Sequence, residues 1–576
     1  MSNYQSRYET WLHSNVITET EKEYLKSISC NEEEKKALFS SYMSFGTAGL
    51  RSTMSIGTSR MNIYTVTHIT QAIAQLILDE EGANDGVVIA YDSRINSDLF
   101  AKTAASVLAA NGIKVFIFES VRPTPELSFA LLNLNCIAGI NITASHNPKE
   151  YNGYKVYWKD GAQLPVAHAQ IVADKAACID IFDDVKHTDF DNAVKSGIIT
   201  IIGAEMDEKY LRAVQSQMVD ADVIPSVSDE FKVVYTPLHG AGHHLVPELL
   251  DRVGVKNLYT VKEQMILDGS FPTVEKPNPE YPETFALAKK VAAENGCNLM
   301  IATDPDADRV AATSLNSKGE FVTFTGNQIG LLLIDYIIKA YEKNDNMPNN
   351  PFVVKSFVSS NLADIICKSH NVEIYNVLTG FKYIGEMIKL HDGKDGSYIF
   401  GFEESCGYLK GTYARDKDAV IASMLICEMG AYYMSKGKTL CDALDDIYNE
   451  YGYSFEVTDE IVTDGYDALE KQQKLMSAFR SSPIEKFGEF AVTKLGDLNS
   501  RRFQNLQTGE IELSPFPKAN ALIFYIENGD TVIVRPSGTE PKVKVYYLIT
   551  AKDKSEAEEK FNSYKSTLDA FVSVTI

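Results

Sequence analysis

The sequence predicts an α/β protein of three similar mixed-sheet domains in series, followed by a smaller C-terminal α+β domain. Two observations support this fold class. A pattern of strand, polar loop, helix, polar or glycine stop and second strand recurs three times with similar internal lengths. The 576 residues also suffice for three to five domains of roughly 150 residues each. Wide separation of the copies favours three related domains over the incidental βαβ units of any α/β protein.

The elements follow one another along the chain. A helix is predicted first, because Tyr4, Tyr8, Trp11 and Leu12 recur at helical spacing, and a loop over 45–51 follows it. The three copies of the strand–helix–strand pattern then cover 87–118, 232–261 and 352–377. Their predicted strands and helices are 87–92, 99–111 and 114–118, then 232–235, 245–253 and 257–261, then 352–355, 361–369 and 372–377.

The last part of the chain has a different pattern. Two strands, 532–534 and 543–548, flank a loop, and an amphipathic helix over 554–572 follows. We place boundaries near 205, 325 and 446, which gives domains 1–205, 206–325, 326–446 and 447–576. No Gly/Ser-rich linker separates them, so we expect tight packing with clefts between domains.

Composition excludes several classes of protein. A net charge of −23 argues against a protein that coats nucleic acid, and it makes any local cluster of Lys and Arg informative. The eight cysteines form no Cys-x-x-Cys pair, so neither a zinc ribbon nor a disulfide framework is indicated, and a reducing cytoplasm fits. The chain contains no run of about 18 apolar residues, and its polar first segment lacks a secretory signal, so no membrane partner is expected.

A serine follows an apolar segment in the run 143–148, Thr-Ala-Ser-His-Asn-Pro. The run comes after the predicted strand 137–142 and closes in an Asn-Pro turn, which would display the Ser145 hydroxyl as an exposed group at the mouth of a sheet. Such a hydroxyl can be a nucleophile or carry a covalent phosphate. An ordinary turn is the competing interpretation, because Ser, Asn and Pro are common turn residues.

Three carboxylates follow another apolar strand, 299–302. Asp304, Asp306 and Asp308 alternate in the run Asp-Pro-Asp-Ala-Asp-Arg and would point the same way in an extended loop. Three converging hard oxygens suit Mg²⁺ or a similar cation. An EF-hand is excluded, because its required Gly and Glu positions are Arg309 and Leu315 here.

Two further segments indicate a phosphosugar ligand. Between the last predicted strands lies Arg-Pro-Ser-Gly-Thr, in which Arg535, Ser537, Gly538, Thr539 and backbone amides would hold a phosphate. The pair Glu403-Glu404 with Ser405 suits a sugar diol, although adjacent acids are also typical of a solvated loop. Positive charge in the same third of the chain comes from two runs, Thr379-Gly380-Phe381-Lys382 and Arg415-Asp416-Lys417-Asp418.

Other catalytic classes lack their motifs. The chain has no Gly-x-x-x-x-Gly-Lys-Ser/Thr loop of a P-loop nucleotide enzyme and no Gly-x-Ser-x-Gly elbow of an α/β-hydrolase. His239, His243 and His244 do not follow a zincin pattern, and we interpret them as loop residues.

These motifs, in this order, resemble those of the α-D-phosphohexomutase family over nearly the whole chain. Residues 143–148 look like its phosphoserine loop, 304–309 like its metal loop, 403–405 like its sugar-specificity loop and 535–539 like its phosphate-binding loop. The loop 45–51 and the Gly-Phe-Glu-Glu run are most similar to the branch of bacterial α-phosphoglucomutases and phosphopentomutase-like enzymes. The resemblance implies four domains around a central cleft.

The resemblance also implies a mechanism and a set of site residues. Ser145 would carry a phosphoryl group, donate it to a hexose phosphate to form a 1,6-bisphosphate, and reclaim the other phosphate. One Mg²⁺ per subunit would be held by Asp304, Asp306, Asp308 and an oxygen at Ser145. The remaining implied roles are transition-state stabilisation by Arg51 and Arg309, general acid/base catalysis by Lys155 or His146, phosphate binding by Arg535, Ser537, Gly538 and Thr539, and sugar contacts or added charge from Thr379, Gly380, Lys382, Glu403, Ser405, Arg415 and Lys417.

Some expectations stay open at this level. Burial could lower the pKa of Lys155, which would suit a general base. Glucose phosphate is the favoured substrate, with mannose or pentose phosphates as alternatives within the family and a non-catalytic phosphosugar-binding or bisphosphate-forming protein as a further alternative. We expect glucose 1,6-bisphosphate as activator, a cytoplasmic monomer or homodimer, closure of the last domain on binding, and no nucleic-acid partner.

Overall fold

The computed structural model describes residues 3–46, 49–463, 468–537 and 542–576. The chain folds into two compact units. The first contains Met1–Leu315, Gly319–Thr323 and Gly407–Gly437, and the second contains Asn316–Lys318, Phe324–Cys406 and Lys438–Ile576. Within the described residues, we find no helix with the length and apolar character needed to cross a membrane.

The first part of the first unit is built around a six-stranded mixed sheet. Its helices are α1 (Asn3–His13), α2 (Glu19–Ser27), α3 (Glu32–Phe39), α4 (Ile63–Asp79), α5 (Ser97–Ala110), α6 (Thr124–Asn133), α7 (Val166–Ala176) and α8 (Phe190–Ser196). Its strands are β1 (Leu50–Thr53), β2 (Val87–Tyr91), β3 (Val115–Phe118), β4 (Ala138–Ile142), β5 (Tyr151–Trp158) and β6 (Ile199–Ile202). The strand order is β1-β5-β4-β2-β3-β6.

In this sheet β2 is parallel to both β3 and β4, while β5 is antiparallel to β4 and β1. Strands β2 and β4 are buried at every residue, as expected for strands covered by helices on both faces. Their carboxyl ends lie side by side at one edge, because the two strands are parallel neighbours. Ligand sites of open α/β sheets form at such edges.

A second mixed sheet follows in the same unit. Its helices are α9 (Ala204–Gln215), α10 (Val223–Val227), α11 (Gly242–Arg252) and α12 (Ala286–Asn295), with a 3₁₀ turn at Pro282–Phe285. Its strands are β7 (Lys232–Thr236), β8 (Asn257–Thr260), β9 (Leu299–Thr303), β10 (Val310–Leu315) and β11 (Phe321–Thr323), in the order β11-β10-β9-β7-β8. Strand β7 is parallel to β8 and β9, and β10 returns antiparallel to β9.

The next part of the chain contributes to both units. Its helices are α13 (Gly326–Lys343), α14 (Leu362–Ser369), α15 (Phe381–His391), α16 (Ala419–Ser435) and α17 (Leu440–Tyr451), and its strands are β12 (Pro351–Ser356), β13 (Glu373–Val377), β14 (Ser397–Glu403) and β15 (Gly407–Leu409). Strand β12 is parallel to β13 and β14 in the second unit. Helix α16 belongs to the first unit, where it packs on α10 and α11.

The C-terminal part of the second unit is an antiparallel sheet of eight strands. They are β16 (Tyr453–Val462), β17 (Lys486–Phe487), β18 (Phe490–Asp497), β19 (Arg502–Asn505), β20 (Ile511–Leu513), β21 (Leu522–Ile526), β22 (Thr531–Pro536) and β23 (Lys542–Ala551). Helices α18 (Ala468–Ser481) and α19 (Lys554–Thr575) accompany it. The α/β fold class is confirmed, and all three predicted strand–helix–strand copies are present. The C-terminal sheet is larger than the two strands that the sequence predicted.

Candidate active site

Ser145 lies directly beyond the carboxyl end of β4, in a sharp turn. Its φ is +51°, in the left-handed region that residues other than glycine seldom adopt. Its backbone N–H donates to Thr143 Oγ1 at 2.8 Å, and its hydroxyl donates to Asp304 Oδ2 at 2.7 Å. The expectation of an exposed hydroxyl is wrong, because the Ser145 residue is only 3% exposed. The aspartate from the neighbouring sheet covers it.

The three predicted aspartates converge beyond the carboxyl end of β9. All three are buried, and their ligand oxygens lie within 4.8 Å of one another. The segment is a turn with Ala307 at φ +50° rather than the extended loop we expected, so convergence comes from the turn and not from strand-like alternation. Asp304 Oδ1 accepts the backbone N–H groups of Asp308 and Arg309 at 3.1 and 3.0 Å.

Two oxygens of this cluster fit a cation. Oδ1 of Asp306 and Oδ1 of Asp308 are buried, and no hydrogen-bond donor among the described residues reaches either of them. Buried carboxylate oxygens left without a partner are costly, and a hard divalent cation would satisfy them. Burial, reinforced by the carboxylates of Asp306 and Asp308, raises the pKa of Asp304 well above its ordinary value. A bound cation would oppose this rise.

Two lysines contact the same aspartates. Lys155, on β5, places Nζ 2.8 Å from Asp306 Oδ2 and 3.3 Å from Asp308 Oδ2, and Lys417 Nζ lies 2.7 Å from Asp308 Oδ2. Burial acts to lower the pKa of Lys155, but the carboxylates of Asp306 and Asp308 outweigh it, so the pKa is raised. The lowered pKa of Lys155 that the sequence left open is therefore not found, because the carboxylates have the larger effect.

His146 is the second candidate for acid/base chemistry. Its Nδ1 lies 3.2 Å from Ser145 Oγ. Burial lowers the pKa of His146 well below its usual range, and the positive charges of Arg309 and Arg51 lower it further. The ring is therefore neutral at pH 7, which leaves one nitrogen able to accept a proton.

The two predicted arginines are placed beside this cluster. Arg51 lies in strand β1 rather than in the predicted loop, because its backbone pairs with Gly153 of β5. Its Nη1 donates to Asn147 Oδ1 at 3.1 Å. Arg309 Nη1 donates to Glu280 Oε1 at 2.6 Å. Both guanidinium groups are thus held near the Ser145 and Asp304 turns.

A second group of predicted residues comes together in the second unit. Glu403 ends strand β14, and its Oε1 accepts the backbone N–H of Gly380 at 2.6 Å. Arg535, on β22, donates through Nη1 to Thr379 Oγ1. These contacts join the predicted sugar-binding and phosphate-binding segments. Of the predicted loop 403–405, Glu403 is the last residue of strand β14, and the turn begins after it.

The remaining predicted residues are more scattered. Lys382 Nζ lies 5.0 Å from the ring centre of Tyr383, and Ser405 lies in the turn after β14. Arg415 donates through Nη1 to the Ala414 carbonyl at 3.0 Å. Lys417 contacts Asp308 of the acidic cluster, and its expected role of adding charge or contacting the sugar stays a prediction. Ser537 donates its N–H to the Lys542 carbonyl at 2.8 Å, and Gly538 and Thr539 lie outside the described residues.

Sequence reasoning missed a buried set beside Ser145. Asp92 and Arg94 follow β2, and Thr124 begins α6 and donates to Asp306 Oδ2 at 2.8 Å. The available signal was the run Asp92-Ser93-Arg94 after an apolar strand. Asp92 directly follows β2 in the same way as Asp304 directly follows β9. Its importance follows from the strand order, because β2 is the neighbour of β4.

Comparison with known families gives four matches in order along the chain. They are the profiles described as phosphoglucomutase/phosphomannomutase alpha/beta/alpha domain I at residues 42–180, domain II at 208–316, domain III at 325–451 and the C-terminal domain at 490–560. Together the four matched segments span most of the chain.

Individual relatives are similar over the same length. A phosphoglucomutase of Staphylococcus saprophyticus is 37% identical over 92% of this chain and 95% of its own, and one of Staphylococcus aureus is 34% identical over 92% and 94%. Among solved structures, a putative phosphomannomutase from Thermus thermophilus aligns with a TM-score of 0.68 at 20% identity, covering 92% of this chain and 99% of that one. The Paramecium phosphoprotein parafusin, in its open form, aligns at 0.66 and 14%, covering 93% and 95%. The two structures support the fold.

Proposed function

The chain belongs to the phosphoglucomutase/phosphomannomutase family, and on that premise we propose that it is a phosphoglucomutase. It interconverts glucose 1-phosphate and glucose 6-phosphate through a phosphoserine and glucose 1,6-bisphosphate. The observation that carries the proposal is the 2.7 Å contact of Ser145 Oγ with Asp304 Oδ2, in a cluster of three buried aspartates. A serine beside hard oxygen ligands suits a phosphoryl carrier, since phosphoryl transfer depends on positioning and charge neutralisation.

Asp304, Asp306 and Asp308 would hold one Mg²⁺ together with an oxygen at Ser145. The two orphaned carboxylate oxygens described above support this assignment. When bound, the cation would neutralise the negative charge on the phosphoryl oxygens. Lys155 and Lys417 neutralise the acidic cluster from the protein side.

In the first half-reaction, the bond between phosphorus and Ser145 Oγ breaks and a bond to the free sugar hydroxyl forms. The sugar hydroxyl loses its proton to a base, and Ser145 Oγ takes up a proton as it leaves. Lys155 or His146 performs these transfers. The second half-reaction runs the same steps in reverse on the other phosphate of the reoriented bisphosphate.

We assign the non-reacting phosphate and the sugar hydroxyls to the remaining predicted residues. Arg535 and Ser537, with Gly538 and Thr539, bind the phosphate that does not react, since a guanidinium group suits bidentate phosphate binding. Glu403 and Ser405 bind the sugar hydroxyls, and Thr379, Gly380 and Lys382 complete this set. Arg415 contributes positive charge, and Arg51 and Arg309 stabilise the transferring group. We place the reaction in the cytoplasm, because all eight cysteines are free thiols.

The test is an assay of purified protein with glucose, mannose and ribose 1-phosphates, each with and without catalytic glucose 1,6-bisphosphate. We expect the highest kcat/KM with glucose 1-phosphate and strong activation by the bisphosphate. Rapid turnover of the mannose or pentose phosphate with negligible glucose activity would assign the alternative substrate. Bisphosphate formation without mutase turnover would indicate the bisphosphate-forming alternative, and binding of sugar phosphate with neither activity would indicate the non-catalytic one.

A further inference from the structure

We propose that Asp92 and Arg94 are positioning residues that hold the Ser145 turn in its left-handed conformation and so aim Oγ at Asp304. Both residues lie directly beyond the carboxyl end of β2. They are 1% and 3% exposed, and Arg94 Nε lies 3.3 Å from Asp92 Oδ2. Burying an ion pair costs desolvation free energy, so the pair contributes little net stability to the fold. We therefore look for a role other than stability.

Arg94 binds the backbone on the C-terminal side of Ser145. Its Nη2 donates to the carbonyl of Ser145 at 2.6 Å and to the carbonyl of Asn147, and its Nη1 donates to the carbonyls of Pro148 and Tyr151 at 2.9 and 3.0 Å. Four carbonyls are thus directed at one guanidinium group. Only a planar guanidinium group, with several N–H donors in fixed directions, can donate to all of these carbonyls together.

Asp92 fixes the N-terminal side of the same turn. Its Oδ2 accepts the hydroxyl of Thr143 at 2.6 Å, and Thr143 Oγ1 in turn accepts the backbone N–H of Ser145 at 2.8 Å. Its Oδ1 accepts the N–H of Arg94 at 2.9 Å and the hydroxyl of Ser97 at 2.7 Å. The carboxylate therefore orients both the arginine and the threonine.

The pair is also covered by the loop that follows β8 in the same unit. The ring centre of Phe271 lies 5.0 Å from Arg94 Cζ, in the range of a cation–π contact. Residue 269 must be glycine for this approach, because a Cβ there would lie 2.3 Å from the backbone nitrogen of Ile95. Arg94 is held on one side by Asp92 and on the other by Phe271, so it has little freedom to follow a relaxing Ser145 turn.

A strained backbone persists only where its surroundings impose it. Ser145, at φ +51°, is such a residue, and the contacts of Asp92 and Arg94 lie on both sides of it. The consequence is kinetic. Without the guanidinium group of Arg94 the turn relaxes and Ser145 Oγ leaves its place 2.7 Å from Asp304 Oδ2. Phosphoryl transfer then slows while the affinity for the substrate persists.

The decisive variant is Arg94→Lys, which keeps the positive charge and removes the planar guanidinium group. Its matched control is Arg122→Lys, a second buried arginine of the same unit, which pairs with Asp207 through Nε and Nη2 at 2.8 Å each. The measurements are kcat, KM for glucose 1-phosphate, the single-turnover rate of Ser145 phosphorylation by labelled glucose 1,6-bisphosphate, and the melting temperature.

We expect Arg94→Lys to lower kcat and the phosphorylation rate at least 50-fold, with KM within threefold of the parent and a melting temperature close to that of Arg122→Lys. We expect Arg122→Lys to keep kcat within twofold of the parent. Equal kcat values in the two variants would overturn the proposal, and so would a loss that lies wholly in KM.

A second pair of variants covers the case in which Arg94→Lys does not fold. Thr143→Val removes the hydroxyl between Asp92 and the Ser145 N–H, and Thr143→Ser restores it. We expect the valine variant to lose at least tenfold in phosphorylation rate and the serine variant to keep most of it. Equal rates in the two would contradict the proposal.

The kinetic readout rests on the proposed function, so a measurement independent of activity is included. If the parent protein neither turns over sugar phosphates nor accepts phosphate on Ser145, the proposed function fails. The positioning role is then judged by hydrogen exchange: Thr143→Val accelerates exchange of the amides in 143–151 relative to Thr143→Ser. Unchanged exchange there would refute the positioning role on its own.

Discussion

Ser145 is the residue on which the proposed chemistry depends, because its hydroxyl is the only atom assigned to carry the phosphoryl group. Ser145→Ala is expected to abolish covalent phosphate and to lower mutase kcat at least a thousandfold. Its Cβ remains, so the fold persists, although Asp304 Oδ2 loses a donor at a cost of about 1–3 kcal/mol. Intact-mass analysis after incubation with glucose 1,6-bisphosphate and a coupled assay check both effects.

The control for this variant is Ser423→Ala. Ser423 is a buried serine of the same unit, and its hydroxyl donates within helix α16 to the Ala419 carbonyl at 2.7 Å. We expect kcat within twofold of the parent. Normal turnover in Ser145→Ala, or an equal loss in Ser423→Ala, contradicts the assignment of the phosphoryl carrier.

His68 gives the first unit a dependence of stability on pH. It is 7% exposed, and its Nε2 lies 2.9 Å from the Ala176 carbonyl and 3.2 Å from that of Ile179. Burial lowers its pKa, against smaller opposing effects of these two carbonyls and of Asp180. The unfolded chain therefore binds a proton that the folded protein does not, so stability is complete above the unfolded pKa of about 6.5 and falls as the pH drops below it.

His68→Gln, which retains a donor for the carbonyls, is expected to flatten this dependence. Each unit by which the folded pKa lies below the unfolded one is worth about 1.4 kcal/mol. Thermal unfolding at pH 7.5 and pH 5 measures the effect as the difference between the two midpoints. An equally steep fall in parent and variant would show that other groups cause the loss.

Gly153 determines how closely strands β1, β4 and β5 approach beneath the candidate site. A Cβ there would lie 2.4 Å from the Thr143 carbonyl oxygen and 2.9 Å from that of Leu50, and both obstacles are backbone. Gly153→Ala must therefore displace the Ser145 turn or β1, and we expect at least a tenfold loss of kcat together with a lower melting temperature. At Gly139, on β4, the nearest obstacle is the flexible end of Leu131 at 3.0 Å.

Gly139→Ala is accordingly the matched control, with an expected loss of kcat below threefold. Circular dichroism and the coupled assay distinguish the two variants. If Gly153→Ala has the activity of Gly139→Ala, the backbone contact does not position the site.

The same elements explain how much the sequence could predict. The strands before Ser145 and before the aspartates were recognisable, because a short apolar run bounded by polar turns is a local pattern. Asp304, Asp306 and Asp308 were recognisable as candidate metal ligands for the same reason. The roles of Asp92 and Arg94 were not predictable, since an Asp-x-Arg turn is ordinary until the sheet order places β2 beside β4.

Two other features of the structure were not predicted from the sequence, because they too depend on tertiary structure. Lys417 precedes α16, and α16 lies with the first unit, so the lysine reaches Asp308 although it follows the sugar-loop segment along the chain. The C-terminal sheet contains strands such as β20, three residues long with every residue exposed, which is shorter than the runs of about four to eight residues by which strands are recognised in a sequence.

At the scale of the whole molecule, the acidic cluster belongs to one unit. The effect of a bound metal on the first unit can therefore be measured separately from any effect on the second. Asp304, Asp306, Asp308, Lys155 and Lys417 all lie in the first unit. Removal of divalent cations by EDTA is expected to abolish mutase activity, and added Mg²⁺ is expected to restore it. Cation binding stabilises the folded state by about 2.7 kcal/mol at a concentration 100 times its dissociation constant.

Hydrogen exchange with and without Mg²⁺ tests where this stabilisation lies. A cation bound as we propose would satisfy the buried oxygens of Asp306 and Asp308, so we expect slower exchange at 138–158 and 299–315 and no change at 522–537 in the second unit. Asp308→Asn should remove most of the protection, whereas Glu263→Gln, at an exposed position of the first unit, should leave it intact. Equal protection of both units, or protection that survives Asp308→Asn, would place the cation elsewhere and would leave the unpartnered carboxylate oxygens unexplained.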